Sequence, residues 1–483
     1  MACFLLLEKV KIKMKKFLHK WVKTFSRTHT IQRISFLWPY FMTGLPQDRK
    51  IRASGLMAIK SGKKYDYYMY EDEWMNCLER FAKHLMSPIS KQEKELQNLA
   101  HSYGKVAKEV KNADLGRWSN KRLSAWFRRY SLIYSHYSFY ALSPWAIDYV
   151  LAPRLISELK QLNRAKSGFW IEVISTPTRL NTMTQQQIDL LKIASTGKLS
   201  KLKGHVKKYY WLPIYNLSDK PWKEQDFEKQ MKSIKNPQKE LEDKQKEFKR
   251  RKERYEKTLK EINPSKELRR VIEAVHLYTY LRDQRVDIWR KIIDYIEPFY
   301  AELAKRANIR LEDSINFFDE EILRFLEEGT LPVGIKERKR QHAIIYIEGI
   351  RKIFTKTKEI NKLKERELGN MQKSTELNGL IAYKGVAKGK VRIISTPKDL
   401  PFLKEGEILV AHHTSPDYVI AMRKSAAIVT DEGGITSHAA IVSRELKIPC
   451  ITNTKIGSQI LKTGDFIRVD ANKGIVKILK KAA

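Results

Sequence analysis

The stretch that decides the reading is Thr430-Asp431-Glu432-Gly433-Gly434-Ile435-Thr436-Ser437-His438-Ala439-Ala440-Ile441-Val442-Ser443-Arg444-Glu445-Leu446-Lys447-Ile448-Pro449. An apolar run at 426–429 predicts a strand entering it, and the segment from Ser437 to Leu446 predicts a short helix opened by His438. Paired glycines, Gly433 and Gly434, let a backbone approach a ligand closely. A helix N-terminus offers unpaired N–H groups and a partial positive charge, which favour an anion. The hydroxyls of Thr436 and Ser437 add donors. Together these residues describe a seat for phosphate with an imidazole at its edge. An imidazole with an ordinary pKa of ~6.5 is a neutral nitrogen nucleophile at pH 7. Such a nitrogen can accept a phosphoryl group and pass it on, splitting one transfer into two. A lone histidine is more often a cap or a packed core residue, so the weight falls on the whole segment. Arg444, about two turns further on, is read either as a phosphate contact or as the partner of a carboxylate. Asp431 and Glu432 orient a metal or phosphate, or simply solvate a turn.

Around this stretch, from about residue 375 to the end, short β-branched runs alternate with Gly and Pro: 391–394, 408–410, 427–429, 448–452, 466–469 and 475–478. They predict an α/β or β-rich domain of normal single-domain size. His412 and His413 are read as surface or packing residues, because neighbours on a strand face opposite sides. Cys450 is expected to be a buried strand residue. Upstream, helical periodicity dominates from about 71 to 370. Ser143-Pro144 is a helix start, and Asn120–Ala141 is rich in Trp, Tyr and Phe. Within 227–262, Leu241, Phe248, Tyr255 and Ile262 recur every seven residues. Lys244, Arg251 and Thr258 occupy the other seam position, so a solvated helix packed along one stripe is expected rather than a dimerising zipper. A helix then runs from Ser265 to about Asn308, and two shorter ones follow near 319–328 and 335–359. Met57 to Tyr70 reads as a hairpin. The resulting division is a basic N-terminal segment over 1–70, a helical region over 71–355, a charged linker over 356–375 and the C-terminal domain over 376–483.

The segment resembles the phosphohistidine (swivelling, mobile) domain of the PEP-utilising enzymes, the family of phosphoenolpyruvate synthase, pyruvate phosphate dikinase and rifampicin phosphotransferase. The family motif of two glycines, Thr-Ser-His-Ala-Ala, Arg-Glu and Ile-Pro stands here as Gly433-Gly434, Thr436-Ser437-His438-Ala439-Ala440, Arg444-Glu445 and Ile448-Pro449. The resemblance extends from Tyr383-Lys384-Gly385 through Ser415-Pro416-Asp417 to Gly464-Asp465 and Gly474, and so covers about 377–480. One departure is Asn453, where a glycine often sits. The resemblance implies a mostly α-helical N-terminal region followed by a β/β/α swivelling domain. It implies His438 as the phosphorylated residue, with Gly433, Gly434, Thr436, Ser437 and Arg444 around the phosphate. Residues 185–350 resemble the helical linker or substrate side of these enzymes more weakly. No ATP-grasp or PEP/pyruvate barrel domain is legible. Mg²⁺ and ATP, or PEP, are therefore expected at a separate ATP-grasp subunit or PEP site, with a small-molecule acceptor at the helical region and no metal held by this chain.

Composition narrows the alternatives. The chain has 483 residues, 42% of them hydrophobic, which excludes a fully disordered chain despite 31% charged residues. Three cysteines, Cys3, Cys77 and Cys450, are too few and too scattered for a disulfide framework or metal knuckle, which suggests a reducing cytoplasm. Phe4–Leu7 is too short an apolar run for a signal peptide or a span, and no transmembrane segment is expected. Lys9–Lys23 reads as a frayed basic helix or a surface that meets anionic lipid. The net charge is +38; residues 372–483 hold 18 basic and 10 acidic residues, net +8, which leaves +30 upstream. That excess motivates a second function class: a non-catalytic protein whose basic helical region binds RNA, an anionic surface or a protein partner, with a relic phosphohistidine domain.

Overall fold

The computed structural model describes residues 21–27, 52–61, 64–217, 219–347, 350–368, 376–395, 397–414, 418–434 and 437–482. The basic stretch up to Lys20, Cys3, Thr436 and Ser415-Pro416-Asp417 lie outside the described residues. Among the described residues no helix is long and apolar enough to cross a membrane.

The N-terminal part is built on helices and one antiparallel sheet of five strands. In chain order these are β1 (Trp21–Arg27), β2 (Gly55–Ser61), β3 (Lys64–Tyr70), β4 (Ala343–Ile347) and β5 (Ile350–Phe354), arranged β1-β3-β2-β4-β5. The expected hairpin is the β2–β3 pair, in register from Leu56↔Met69 to Ser61↔Lys64. Two expectations are corrected. Residues 335–359 are not one helix: a short helix, Ile335–Arg340, gives way to β4 and β5. The run Ile344-Ile345-Tyr346-Ile347 is β-branched and aromatic, and β4 pairs with β2, so tertiary pairing overrides the weak helical pattern. Residues 357–368 of the expected linker form a helix, Thr357–Leu368.

Alternation along the strands then explains both faces of this sheet. Leu56, Ala58 and Ile344 join the main helical core, while Met57, Ile59 and Ile345 face the other way against Ile360 and Leu363 of helix 357–368. The main core is largely aromatic. Trp126, Phe127, Tyr130, Tyr134, Tyr137 and Tyr140 are buried, and Trp126 lies 4.8 Å from Phe299 of the helix Lys266–Arg306. That 41-residue helix is capped by Ser265, whose side chain accepts from Leu268 N–H. The charged helix Pro237–Ile262 packs along one stripe as expected, with Leu241 against Ile188 and Leu191 and with Tyr255 stacked on His276.

The C-terminal domain is an eight-stranded mixed sheet. Its strands are β6 (Glu376–Asn378), β7 (Leu380–Tyr383), β8 (Val386–Ile394), β9 (Ile408–Ala411), β10 (Ala427–Thr430), β11 (Cys450–Thr452), β12 (Phe466–Asp470) and β13 (Ile475–Lys480). Their order is β6-β13-β12-β8-β9-β10-β11-β7, and β8, β9, β10 and β11 run parallel. The central strands are buried on both faces, which is why they read as unbroken apolar runs. Ile408, Val410, Ala427 and Val429 fill one core; Leu409, Ala411 and Ile428 fill the other. The helix His438–Leu446 crosses from β10 to β11 and covers the second core with Ala439 and Val442, beside buried Cys450. Burial pushes the Cys450 thiol up to about 12. The chain is thus a helical N-terminal region followed by a β-rich C-terminal domain.

Candidate functional site

Parallel strands β9 and β10 end side by side, and the loops beyond them build the site. Loops past the carboxyl ends of parallel strands are where open α/β sheets place ligands. The loop after β9 carries His412, His413 and Thr414; the loop after β10 carries Asp431, Glu432, Gly433, Gly434 and Ser437, ahead of His438. Gly433 has φ +113°, and a Cβ there would stand 2.7 Å from Ser437 Oγ, so backbone and space both require glycine. The Gly434 carbonyl accepts from Ser437 N–H at 3.0 Å, closing the turn. Ser437 is the N-cap: its hydroxyl accepts from Ala440 N–H at 3.3 Å. His438 is therefore the first residue of the helix, half-buried, at the positive end of its dipole.

A residue that the sequence reading missed completes the imidazole's surroundings. Thr414 Oγ1 lies 2.8 Å from His438 Nδ1. Thr414 directly precedes Ser415-Pro416-Asp417 of the motif, and no local signal in the sequence points to its contact with His438.

Of the two readings for His412, surface or packing, the structure fits packing: it is 4% exposed and wedged between two carboxylates that the sequence does not point to as its partners. Nε2 is 2.9 Å from Glu432 Oε1, and Nδ1 is 3.3 Å from Asp431 Oδ2. Burial alone would lower the His412 pKa, but the carboxylates of Glu432 and Asp431 outweigh it and raise it above the ordinary histidine value. Asp431 is also buried, which by itself raises its pKa; His412, Lys23 and Ser458 outweigh that and hold it below the usual carboxylate range. Asp431 accepts from Ser458 N–H at 2.7 Å and from Thr454 Oγ1 at 3.4 Å. These two acids thus anchor the root of the loop. Among the described residues no cluster of His, Cys, Asp and Glu could hold a metal ion.

The other expected site residues separate. Arg444 Nε points to the Ala382 carbonyl at 3.4 Å, on β7, and burial lowers its pKa. Gly434 is packed against the helical region: a Cβ there would lie 2.6 Å from Asp148 Cβ. Asp148 belongs to a π-helical turn, Ile147–Leu151, and pairs with Arg282 at 3.0 Å. Next to it, Tyr149 Oη donates to Asn453 Oδ1 at 2.7 Å, and Gln459 Nε2 donates to Asp66 at 3.2 Å. Asn453 takes φ +60°, the left-handed conformation that a glycine adopts freely, and asparagine is among the few side chains that tolerate it. The departure from the motif thus keeps the turn and adds a contact between domains.

Comparison with known proteins places the C-terminal domain in a family. Residues 403–474 match the family described as PEP-utilising enzyme, mobile domain. A probable phosphoenolpyruvate synthase of Archaeoglobus fulgidus is 47% identical over 132 residues, 27% of this chain and 18% of that protein. The phosphoenolpyruvate synthase of Pyrococcus furiosus is 53% identical over 100 residues, 21% of this chain and 12% of that protein. Chondramide synthase cmdD of Chondromyces crocatus is 43% identical over 104 residues, 22% of this chain and 3% of that protein. The chain therefore spans less than a fifth of the length of these relatives, and the similarity lies in its C-terminal part.

Proposed function

We propose that this chain, whose C-terminal domain is a mobile domain of the PEP-utilising enzymes, carries a phosphoryl group on His438 from a donor site to an acceptor. The observation that supports this most is His438 at the mouth of its helix with Nδ1 committed to Thr414. Nε2 is then the nitrogen we assign to the transfer. Its lone pair attacks the donor phosphorus, and the donor P–O bond breaks with its electrons leaving on oxygen. The phosphoryl oxygens meet the N–H groups at the start of helix 438–446, with Gly433 and Ser437 shaping the loop. In the second step an acceptor oxygen attacks phosphorus and the N–P bond returns its electrons to Nε2. Thr436 retains its proposed place beside the phosphate, and Arg444 acts further back, at β7.

The donor is ATP at an ATP-grasp site, or PEP, on another domain or subunit, and Mg²⁺ belongs to that donor site. The acceptor is a small molecule at the helical region. In this reading the chain is a phosphotransferase that works only with its donor partner, in the cytoplasm.

The test is acid-labile phosphohistidine labelling. Full chain is incubated with PEP, or with ATP, Mg²⁺ and an ATP-grasp partner, and the label is located by mass spectrometry. Wild type should label at His438 and His438→Ala should not. Equal labelling of the two would refute the reading.

A further inference from the structure

The carboxylate of Asp148 stands against the loop that is to hold a dianion, where like charge is unfavourable. An ideal Cβ on Gly434 would be 2.8 Å from Asp148 Oδ1, and the turn closed by the Gly434 carbonyl leads directly into His438. Asp148 is also buried, in a π-helical turn, a deviation from regular helix that is frequent at functional sites. What makes the carboxylate tolerable is Arg282, from the middle of the helix Lys266–Arg306, whose Nη2 donates to Asp148 Oδ2 at 3.0 Å. The arginine side chain is the more open of the two, 28% exposed against 9%. A guanidinium with five donors keeps several for a second partner while it holds one carboxylate. The same two regions are also joined by Tyr149–Asn453 and Gln459–Asp66.

We propose that the helical region completes the phosphohistidine site: Arg282 meets the phosphoryl group on His438, and Asp148 is the resting counter-ion that holds Arg282 in place until the phosphoryl arrives. The proposal rests on the phosphohistidine reading of His438. It assigns a phosphate-binding role to a residue 156 positions upstream of the motif. Phosphorylation adds negative charge beside Asp148, so Arg282 exchanges part of its bond to Asp148 for bonds to phosphoryl oxygens.

A purely structural ion pair and this arrangement differ in sign. If the pair only holds the domains together, Arg282→Gln and Asp148→Asn weaken the site alike. If Arg282 meets phosphate, Arg282→Gln destabilises the phosphorylated form, and Asp148→Asn leaves it as stable as wild type or more so. Full-length chain is phosphorylated with phosphoramidate, from which ammonia leaves as the N–P bond to His438 forms. The half-life of phosphohistidine at His438 is then followed by mass spectrometry. We expect a several-fold shorter half-life in Arg282→Gln, partial rescue in Arg282→Lys and no shortening in Asp148→Asn. An unchanged half-life in Arg282→Gln, or equal shortening in both variants, overturns the proposal. Inorganic phosphate binding, read by ³¹P NMR line width, gives a second measure that needs no covalent loading: weaker in Arg282→Gln, unweakened in Asp148→Asn. Phosphate binding that ignores Arg282 equally overturns it. Because neither assay uses the biological donor, failure of labelling by PEP or ATP sinks the phosphohistidine reading, while failure of these sign tests sinks only the role of Arg282.

Discussion

The helical region fills its core with rings, such as Trp126, Tyr130 and Phe299, whereas, among the described residues, one core of the C-terminal domain is wholly aliphatic, with Val391, Val410 and Val429, and the other holds a single buried ring, Tyr418. Charge divides the same way, with +30 upstream of residue 372 and +8 beyond it. The contrast teaches where chemistry can be read. In the C-terminal domain the site lies at the ends of adjacent parallel strands and in one strand–turn–helix, so most of it is continuous in sequence. In the helical region the groups that face it, Asp148, Tyr149 and Arg282, come from elements far apart along the chain. The buried rings of 126–140 also bear on the nucleic-acid alternative, since they are engaged in the core and not available to stack on bases.

The contrast is broken most directly by removing a ring. Trp126 is 2% exposed, and its Nε1 donates to the Val106 carbonyl at 2.9 Å. Trp126→Ala is expected to cost about 3–5 kcal/mol. Hydrogen exchange resolved along the chain should show lost protection in the helices, with β8–β13 still protected. Parallel loss in both regions would mean one cooperative unit and end the comparison.

A somewhat smaller effect probes the other side. His412→Leu leaves Asp431 and Glu432 without their shared imidazole and is expected to cost the C-terminal domain about 3 kcal/mol near pH 6. The pH dependence follows from the directions of the two shifts. The folded pKa of His412 is raised, so its contribution is full below the unfolded value of ~6.5 and is lost as pH rises through the folded value. The folded pKa of Asp431 is lowered, so its contribution is present above the unfolded value of ~3.9 and is lost as pH falls through the folded value. The gap between wild type and His412→Leu should therefore be widest between about pH 4 and 6.5 and narrow on the alkaline side. Urea melts across that range measure it, and a gap that widens from pH 6 to 9 would contradict the assignment.

These particulars show what the sequence carries. Six strands of the C-terminal domain, helix 438–446 and burial of Cys450 were legible, because apolar runs and a glycine-framed helix start are local signals. Strands β4 and β5 were not, because β4 is set by pairing with β2, almost 300 residues away, and β5 by pairing with β4 in turn. The contacts of Thr414 and His412 were not, because adjacency of β9 to β10 is a tertiary fact. Gly434 reads in sequence as room for a ligand, and in the structure a Cβ there would meet Asp148 first.

The smallest expected effect sharpens the comparison at the seam itself. Tyr149→Phe removes one hydroxyl and keeps the ring, which packs against the helical core while the hydroxyl reaches the other domain. Its bond to Asn453 is a neutral one, so the loss should be about 1 kcal/mol of docking. Asn453→Gly removes the same bond from the other side while keeping a residue suited to φ +60°. If the bond acts only at the seam, both variants should leave the urea midpoint of each region unchanged. Both should raise exchange of the amides at 147–151 and 453–459 by a similar factor, and the double variant should add nothing to either single one. A fall in the midpoint of the helical region in Tyr149→Phe alone would place the hydroxyl in that core instead, and additive effects in the double variant would show that the two residues act apart.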